Sequence, residues 1–371
     1  MDTQLLNNDD KKRLKFIDLV KSVALLFVTI YHNECYNIYY TATNDSLLLN
    51  TCRAILSSCV PLFFLVNGFL LFNKEFDLKK HTKKIIKLVV LTVISGIITL
   101  ILILKVKGEV ISAKDFFVIL YQMREGYVNH LWFMGALICI YIFFPLLKNS
   151  FDNNKKIFIW FIIICAIITF GNKFLNMIWT ITGYLIGKVN YVANFNFFHM
   201  FNPLRGLFGY SFVYFCIGGL MFNYIKKIKH KKIYKLYSVI IILISSFLLA
   251  LYGMFCSKIQ NGSWDFVWHG MDTIFTFLNT IALFVLCVYY NGGNKSIYKV
   301  LYYISSNSLL IYIVHMFVMH LTMKYVKLIP LFSYPFGNIV YALSIMFVSL
   351  ILAVGIKRIA KLIRRVFVSL N

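Results

Sequence analysis

The sequence predicts an all-α, polytopic membrane helix bundle of about ten transmembrane helices with both termini in the cytoplasm. Three observations predict it. The 371 residues are 60% hydrophobic and only 14% charged, with a mean hydropathy of +0.75, whereas a soluble domain carries nearer a quarter charged residues. The apolar residues fall in blocks of about 20, the length that spans a hydrocarbon core of ~30 Å. Lys and Arg cluster in alternate connections between those blocks.

The blocks run over 15–34, 54–73, 85–104, 131–147, 157–173, 207–225, 236–256, 272–290, 301–321 and 337–356. The fifth is the weakest, because its purely apolar part ends at Phe170. Lys11, Lys12, Arg13 and Lys15 resemble the basic start of a signal peptide. The run that follows carries Asp18 and Lys21 and lacks a small-residue cleavage site, so it reads as a retained first helix. The expected organisation is a polar cytoplasmic tail over 1–13, one membrane-embedded domain over 14–357 and a basic cytoplasmic tail over 358–371. The connection 174–206 is the longest. Its aromatic residues, Trp179, Tyr184, Tyr191, Phe195, Phe197 and Phe198, suit either stacking on sugar rings or the headgroup layer.

The net charge of +24 is not a nucleic-acid signature. One set of alternate connections holds 26 Lys and Arg residues and the other 11, with Lys21 left inside a helix. By the positive-inside rule the richer set is cytoplasmic, and an even number of spans then leaves both ends there. Most of these cations therefore serve topology and anionic-lipid contact. The eight cysteines form no C-x-x-C pair and no Cys/His cluster, so no metal site is expected. Cys35 and Cys52 flank the first loop and would pair only on an oxidising side. There is no phosphate-binding G-x-x-x-x-G-K loop.

Chemistry is carried by polar groups inside the apolar blocks. The first helix contains DLVKSVALLFVTIYH, residues 18–32. At 100° per residue, Lys21 and His32 are about 20° apart around the axis, and Asp18 is about 60° from Lys21 and about 40° from His32. All three share one stripe, with Lys21 about 16 Å below His32 along the axis. A charge at mid-bilayer costs about 2.5–3.5 kcal/mol on insertion scales, which a stripe turned into the bundle largely avoids. A plainer reading also stands: Asp18 and Lys21 paired at i, i+3 with Lys21 snorkelling, and His32 at the interface. In the ninth block Ser305, Ser308, Tyr312 and His315 share a face, which serves either helix packing or chemistry. Asn67-Gly68 in the second block suggests a close backbone approach or a local break. His130 and Trp132, which open the fourth block, are expected at the outer interface.

At these residues the chain resembles the acyltransferase family 3 membrane enzymes, ten-helix proteins many of which O-acylate cell-surface polysaccharides. The family's basic-x10-His phrase reads Lys21-x10-His32, preceded by Asp18. Its FF-x-x-SG run appears as Phe63-Phe64-Leu65-Val66-Asn67-Gly68, with Asn for the usual Ser. HLWF…Y…P at 130–145 and SLLIYIVH at 308–315 also look like family phrases, and together the resemblance covers about 13–356. Departures are Lys for the commoner Arg at position 21 and a lysine-only run, KKHTKKIIK at 79–87, where the family often has two arginines. That run permits Lys80/Lys83 or Lys84/Lys87. Lysine binds phosphate as a point charge without the bidentate fork.

The resemblance implies transfer of an acyl group, an acetyl foremost, from a cytoplasmic acyl-CoA to a hydroxyl of a surface or lipid-linked glycan. The donor would be a substrate, with no permanently bound cofactor. Lys21, Lys80, Lys83, Lys84 and Lys87 would attract its phosphates. His32 would act as general base or acyl carrier, roles that suit an imidazole with an unperturbed pKa of ~6.5. Asp18 would orient Lys21, and Tyr312 and His315 would be secondary contributors. The setting implied is a bacterial plasma membrane, with lipid, glycan and acyl-CoA as partners and no nucleic acid. The rival class is a transporter or flippase for a lipid-linked sugar or small solute, since intramembrane charges also mark transport paths. Paired broken helices or inverted repeats would favour it, and neither is visible.

Overall fold

The computed structural model describes residues 13–37, 47–200, 202–204, 209–262, 264–326, 328–330 and 334–369, with the side chains of 34–37, 324, 335 and 363–369 left aside. Lys11, Lys12 and Arg205, and the side chains of Cys35, Arg364 and Arg365, lie outside that set. Cys52 is a free, exposed thiol. Among the described residues the structure is helical throughout, with no strand.

Fourteen α-helices follow in order: α1 Lys15–Asn37, α2 Leu47–Ala54, α3 Cys59–Phe72, α4 Leu78–Lys107, α5 Ala113–Tyr121, α6 Trp132–Asn153, α7 Lys155–Ala166, α8 Asn172–Leu185, α9 Gly209–Met221, α10 Ile225–His230, α11 Ile233–Ile259, α12 Ile274–Val288, α13 Lys295–Val326 and α14 Pro335–Ser369. Local chemistry sets several ends. Asp77 caps α4 by accepting the Lys80 N–H at 2.9 Å, and Gly108, at φ +70°, ends it in the left-handed conformation that glycine adopts without penalty. Thr273 caps α12 through the Thr276 N–H.

Among the described residues eight helical stretches are long and apolar enough to cross a membrane: Lys15–Asn33, Leu47–Phe72, Leu78–Lys107, Asn129–Asn153, Lys155–Leu185, Ile233–Ile259, Lys295–Met323 and Phe336–Leu362. The other two expected spans correspond to α9 and α12, with 13 and 15 described helical residues. At 1.5 Å per residue α12 reaches about 22 Å, short of a full core. The fifth span is longer than expected. A π-turn at Ile167–Gly171 joins α7 to α8, so the helix passes Phe170 and takes in Trp179 and Tyr184 from the presumed long connection. The last helix likewise continues from the expected span into the basic segment, to Ser369.

Helix α1 is the hub. It packs against α3, α12, α13 and α14, and no residue from 16 to 33 is exposed. The polar stripe is not the only buried side of α1: Val20, Ala24, Leu25 and Val28 are as buried as Asp18. Phenylalanine fills the spaces between helices. Phe16 meets Phe69 and Phe284 edge-on, each at 5.8 Å, the arrangement that aromatic quadrupoles favour. The lateral surface of α4 exposes Val89, Val90, Val93, Ile94, Ile98 and Ile101, as suits a lipid-facing helix.

Asn67-Gly68 marks a close approach and no break. Helix α3 runs straight through it, and a β-carbon on Gly68 would stand 1.7 Å from the Phe215 carbonyl oxygen of α9. Gly218 is matched in reverse, 2.0 Å from the Leu65 carbonyl oxygen. Two glycines thus let α3 and α9 touch backbone to backbone, as small residues do in membrane bundles.

Candidate functional site

Two polar clusters lie at opposite ends of α1. The first surrounds Asp18. The carboxylate is 1% exposed, and Arg13 grips it in a fork: Nε to Oδ1 at 3.0 Å and to Oδ2 at 2.9 Å, and Nη2 to Oδ1 at 2.6 Å. The Tyr298 hydroxyl donates to Oδ2 at 3.1 Å. Arg13 continues to the hydroxyls of Ser305 and Ser306 at 3.4 and 2.9 Å and lies over the Tyr302 ring at 4.3 Å. This corrects the expected pairing of Asp18 with Lys21. Lys21 lies within electrostatic range of the carboxylate, yet makes no hydrogen bond or ion pair among the described residues. A guanidinium fork matches a carboxylate better than a single ammonium does, and the fold brings Arg13 over the helix start. Arg13 was missed in the sequence, where it reads as one more basic flank residue. Its only signal is a position five residues before a buried acid.

Lys21 is left facing other cations. It lies within electrostatic range of Arg13 and Lys74, and Lys84 within range of both Lys74 and Lys21. Lys84 Nζ donates to the Tyr141 hydroxyl at 3.1 Å and sits over that ring at 4.6 Å. Tyr141 passes the hydrogen bond on to Asn67 Oδ1 at 3.2 Å. The four lysines proposed from the 79–87 run therefore separate. Lys84 is exposed along its stem but reaches Tyr141 of α6 with its ammonium. Lys80 is exposed and paired with Asp77 at 3.2 Å, and Lys83 and Lys87 are exposed. His81, also missed, is buried and bonded through Nε2 to the Tyr141 carbonyl at 2.8 Å, which holds α4 and α6 in register. Like charges gathered around Lys21, with the Asp18 carboxylate nearby engaged by Arg13, make a place for an anion.

The second cluster surrounds His32. Its ring lies 5.4 Å from that of His315 and 5.3 Å from that of Tyr31. His315 is fully buried. Its Nδ1 contacts the Tyr312 carbonyl oxygen at 2.5 Å. A carbonyl only accepts, so Nδ1 carries the proton and Nε2 presents a lone pair. That Nε2 has no partner. His130 closes the row, its ring 6.1 Å from His315. His130 is 2% exposed on the turn before α6, enclosed by protein, with no hydrogen bond from either ring nitrogen. The Tyr312 hydroxyl donates to the His130 carbonyl, which ties that turn to α13. Standing just before an apolar run, His130 has a sequence signal identical to that of an interfacial residue.

Unpaired buried polar atoms cost about 1–3 kcal/mol each. Three such atoms, both ring nitrogens of His130 and Nε2 of His315, belong to this row. The two clusters sit on one continuous helix, with eleven steps from Lys21 to His32 and hence about 16 Å of rise. Two apolar grooves, of about 700 Å³ between α2 and α11 and about 430 Å³ beside α6, α7 and α9, lie on the lateral surface away from both clusters.

A helical membrane protein with a cationic cluster at one end of its central helix and a row of imidazoles at the other is the class defined so far. Comparison makes it particular. Residues 14–358 match the family model described as an acyltransferase domain, that of acyltransferase family 3. The match covers nearly the whole chain, and the protein belongs to that family. No curated protein and no solved structure matches it.

Proposed function

We propose that this membrane acyltransferase moves an acyl group, an acetyl foremost, from a cytoplasmic acyl-CoA to a hydroxyl of a cell-surface or lipid-linked polysaccharide. The setting proposed is the bacterial plasma membrane, with ten helices crossing it and both termini in the cytoplasm. The observation that carries the reading is the arrangement along α1: a cluster of lysines at Lys21, and His32 three turns away against His315.

In this reading Lys21, Lys74 and Lys84 hold the donor's phosphates while the acyl-bearing arm extends along α1. The charge alternation that places Lys21 on the cytoplasmic side supports it. An imidazole nitrogen of His32 takes the proton of the acceptor hydroxyl. The oxygen attacks the thioester carbonyl carbon, the C–S bond breaks, and the departing thiolate takes the proton from the imidazolium. The products are an O-acyl ester and a free thiol. His315 Nε2, with a lone pair beside His32, accepts a hydrogen bond from a second hydroxyl of the acceptor and so orients the reacting one. Asp18 and Arg13 stay away from the reaction and anchor the start of α1 to α13.

The experiment is thiol release by the purified protein in proteoliposomes with acetyl-CoA. Release that begins only when base-deacylated surface polysaccharide is added, and that is lost in His32→Ala, is the expected result. Undiminished acetylation of the glycan in a strain carrying His32→Ala would sink the assignment, and transport without thiol release would favour the transporter class.

A further inference from the structure

Resting on the acyl-transfer reading above, we infer that the turn at 264–272, with Trp132 and Lys173, is the platform that seats a saccharide acceptor beside the imidazoles. The turn is fastened to both elements that carry the row. The Asp265 carboxylate accepts the Tyr31 hydroxyl through Oδ2 at 2.5 Å, and Tyr31 precedes His32 with the two rings 5.3 Å apart. The same carboxylate accepts the N–H groups of Val267 and Trp268 through Oδ1, each at 3.0 Å, which fixes the direction in which Trp268 leaves the turn. Trp268 then meets Trp132 edge-on at 5.3 Å, and Trp132 stands two residues after His130.

What the turn leaves open is the kind of surface that a sugar ring fits. Trp268 is 36% exposed. His269 beside it is exposed and stacks on the buried Trp264 ring at 5.5 Å and 27°. Lys173 Nζ and Asp272 Oδ1 stand 3.5 Å apart at the rim. A pyranose has a patch of C–H bonds on its face and hydroxyls around its edge, each able to donate and accept. The indole face takes the first; an ammonium, a carboxylate and an imidazole supply both polarities for the second. A phosphate would find Lys173 already neutralised by Asp272, and an acyl chain would have no use for the pair. The unpartnered nitrogens of buried His130, and Nε2 of His315, remain for a hydroxyl that passes inward from this platform.

The test compares wild type with Trp268→Ala, Trp268→Phe and Trp179→Ala. Trp179 is another exposed tryptophan, on α8, and serves as the control for a general headgroup anchor. Acetyl transfer from acetyl-CoA to base-deacylated surface polysaccharide is measured as a function of each substrate. Trp268→Ala should raise the half-saturating polysaccharide concentration about tenfold, the size of an aromatic stacking contact with its burial. It should leave the half-saturating acetyl-CoA concentration unchanged, and Trp268→Phe should restore most of the loss. Equal acceptor saturation in Trp268→Ala and wild type, or an equal rise in Trp179→Ala, overturns the platform. Quenching of tryptophan fluorescence by the same polysaccharide, weakened about tenfold in Trp268→Ala, is read without acetyl-CoA. A protein that binds the glycan in this way but transfers nothing refutes the acyl-transfer reading and keeps the platform; one that transfers normally with no change in Trp268→Ala does the reverse.

Discussion

His32 and His315 face each other across the α1–α13 contact with ring centroids 5.4 Å apart, and the Nδ1 proton of His315 is committed to the Tyr312 carbonyl. The commitment fixes the tautomer and leaves Nε2 as the available atom. If that lone pair holds a second hydroxyl of the acceptor and so orients the reacting one, His315→Ala should lower kcat by about 10²-fold, as a lost positioning contact does. The half-saturating acetyl-CoA concentration should stay the same. A kcat within threefold of wild type in a variant that elutes as wild type on gel filtration would refute the role.

The anchor at the other end makes a prediction about order. Asp18 is sealed from solvent while Arg13 is 42% exposed. Removing Arg13 strands a buried carboxylate, whereas neutralising Asp18 leaves a guanidinium that water still reaches. Breaking a buried pair from one side costs about 3–5 kcal/mol, so Arg13→Ala should lower the melting temperature more than Asp18→Asn. The double variant Arg13→Gln/Asp18→Asn should recover part of the loss. A larger fall in Asp18→Asn would show that the pair is not what holds the start of α1.

How much of this was legible in the sequence depends on the range of each contact. The helices, and the shared stripe of Lys21 and His32, follow from local hydropathy and a fixed turn per residue. The approach of His315 to His32 was legible only as two intramembrane imidazoles on separate helices. His130 and the turn at 264–272 were hidden because their partners are distant in the chain, Tyr312 for His130 and Tyr31 for Asp265, whereas Arg13 lies only five residues from Asp18 and was hidden among other basic flank residues. Helical arithmetic orders residues on one helix and says nothing about which helix arrives next to it. For the same reason it offered four equivalent lysines where the fold bonds one of them to Tyr141 of a neighbouring helix.

That lysine carries the third prediction. Lys84→Ala removes the cation bonded to Tyr141 beside Lys21 and should raise the half-saturating acetyl-CoA concentration several-fold, with the dependence on salt reduced. Lys80→Ala should change neither, because its ammonium is in solvent and already paired with Asp77, and exposed pairs contribute little. Saturation curves for acetyl-CoA at low and high ionic strength separate the two. Equal effects of both substitutions would mean that the lysine run acts as a diffuse patch and not through Lys84.

The glycine contact between α3 and α9 makes the last prediction, and it concerns the frame that holds both clusters in place. A β-carbon at Gly68 would fall 1.7 Å from a backbone oxygen. Backbone cannot rotate away as a side chain can, so the helices must separate and forfeit the phenylalanine packing around them. Overpacking typically costs about 1–3 kcal/mol where side chains can adjust, and Gly68→Ala should reach or exceed the top of that range. Gly218→Ala meets the Leu65 carbonyl oxygen in the same way and should behave alike. Gly355→Ala is the contrast: nothing lies within 4 Å of its added carbon, and alanine is the better helix former by about 1 kcal/mol. Thermal melting of the three variants in detergent should therefore fall sharply for the first two and hold or rise for the third. A Gly68→Ala protein as stable as wild type would show that α3 and α9 do not meet backbone to backbone, and with that the placement of Asn67 under Tyr141 and Lys84 would have to be redrawn.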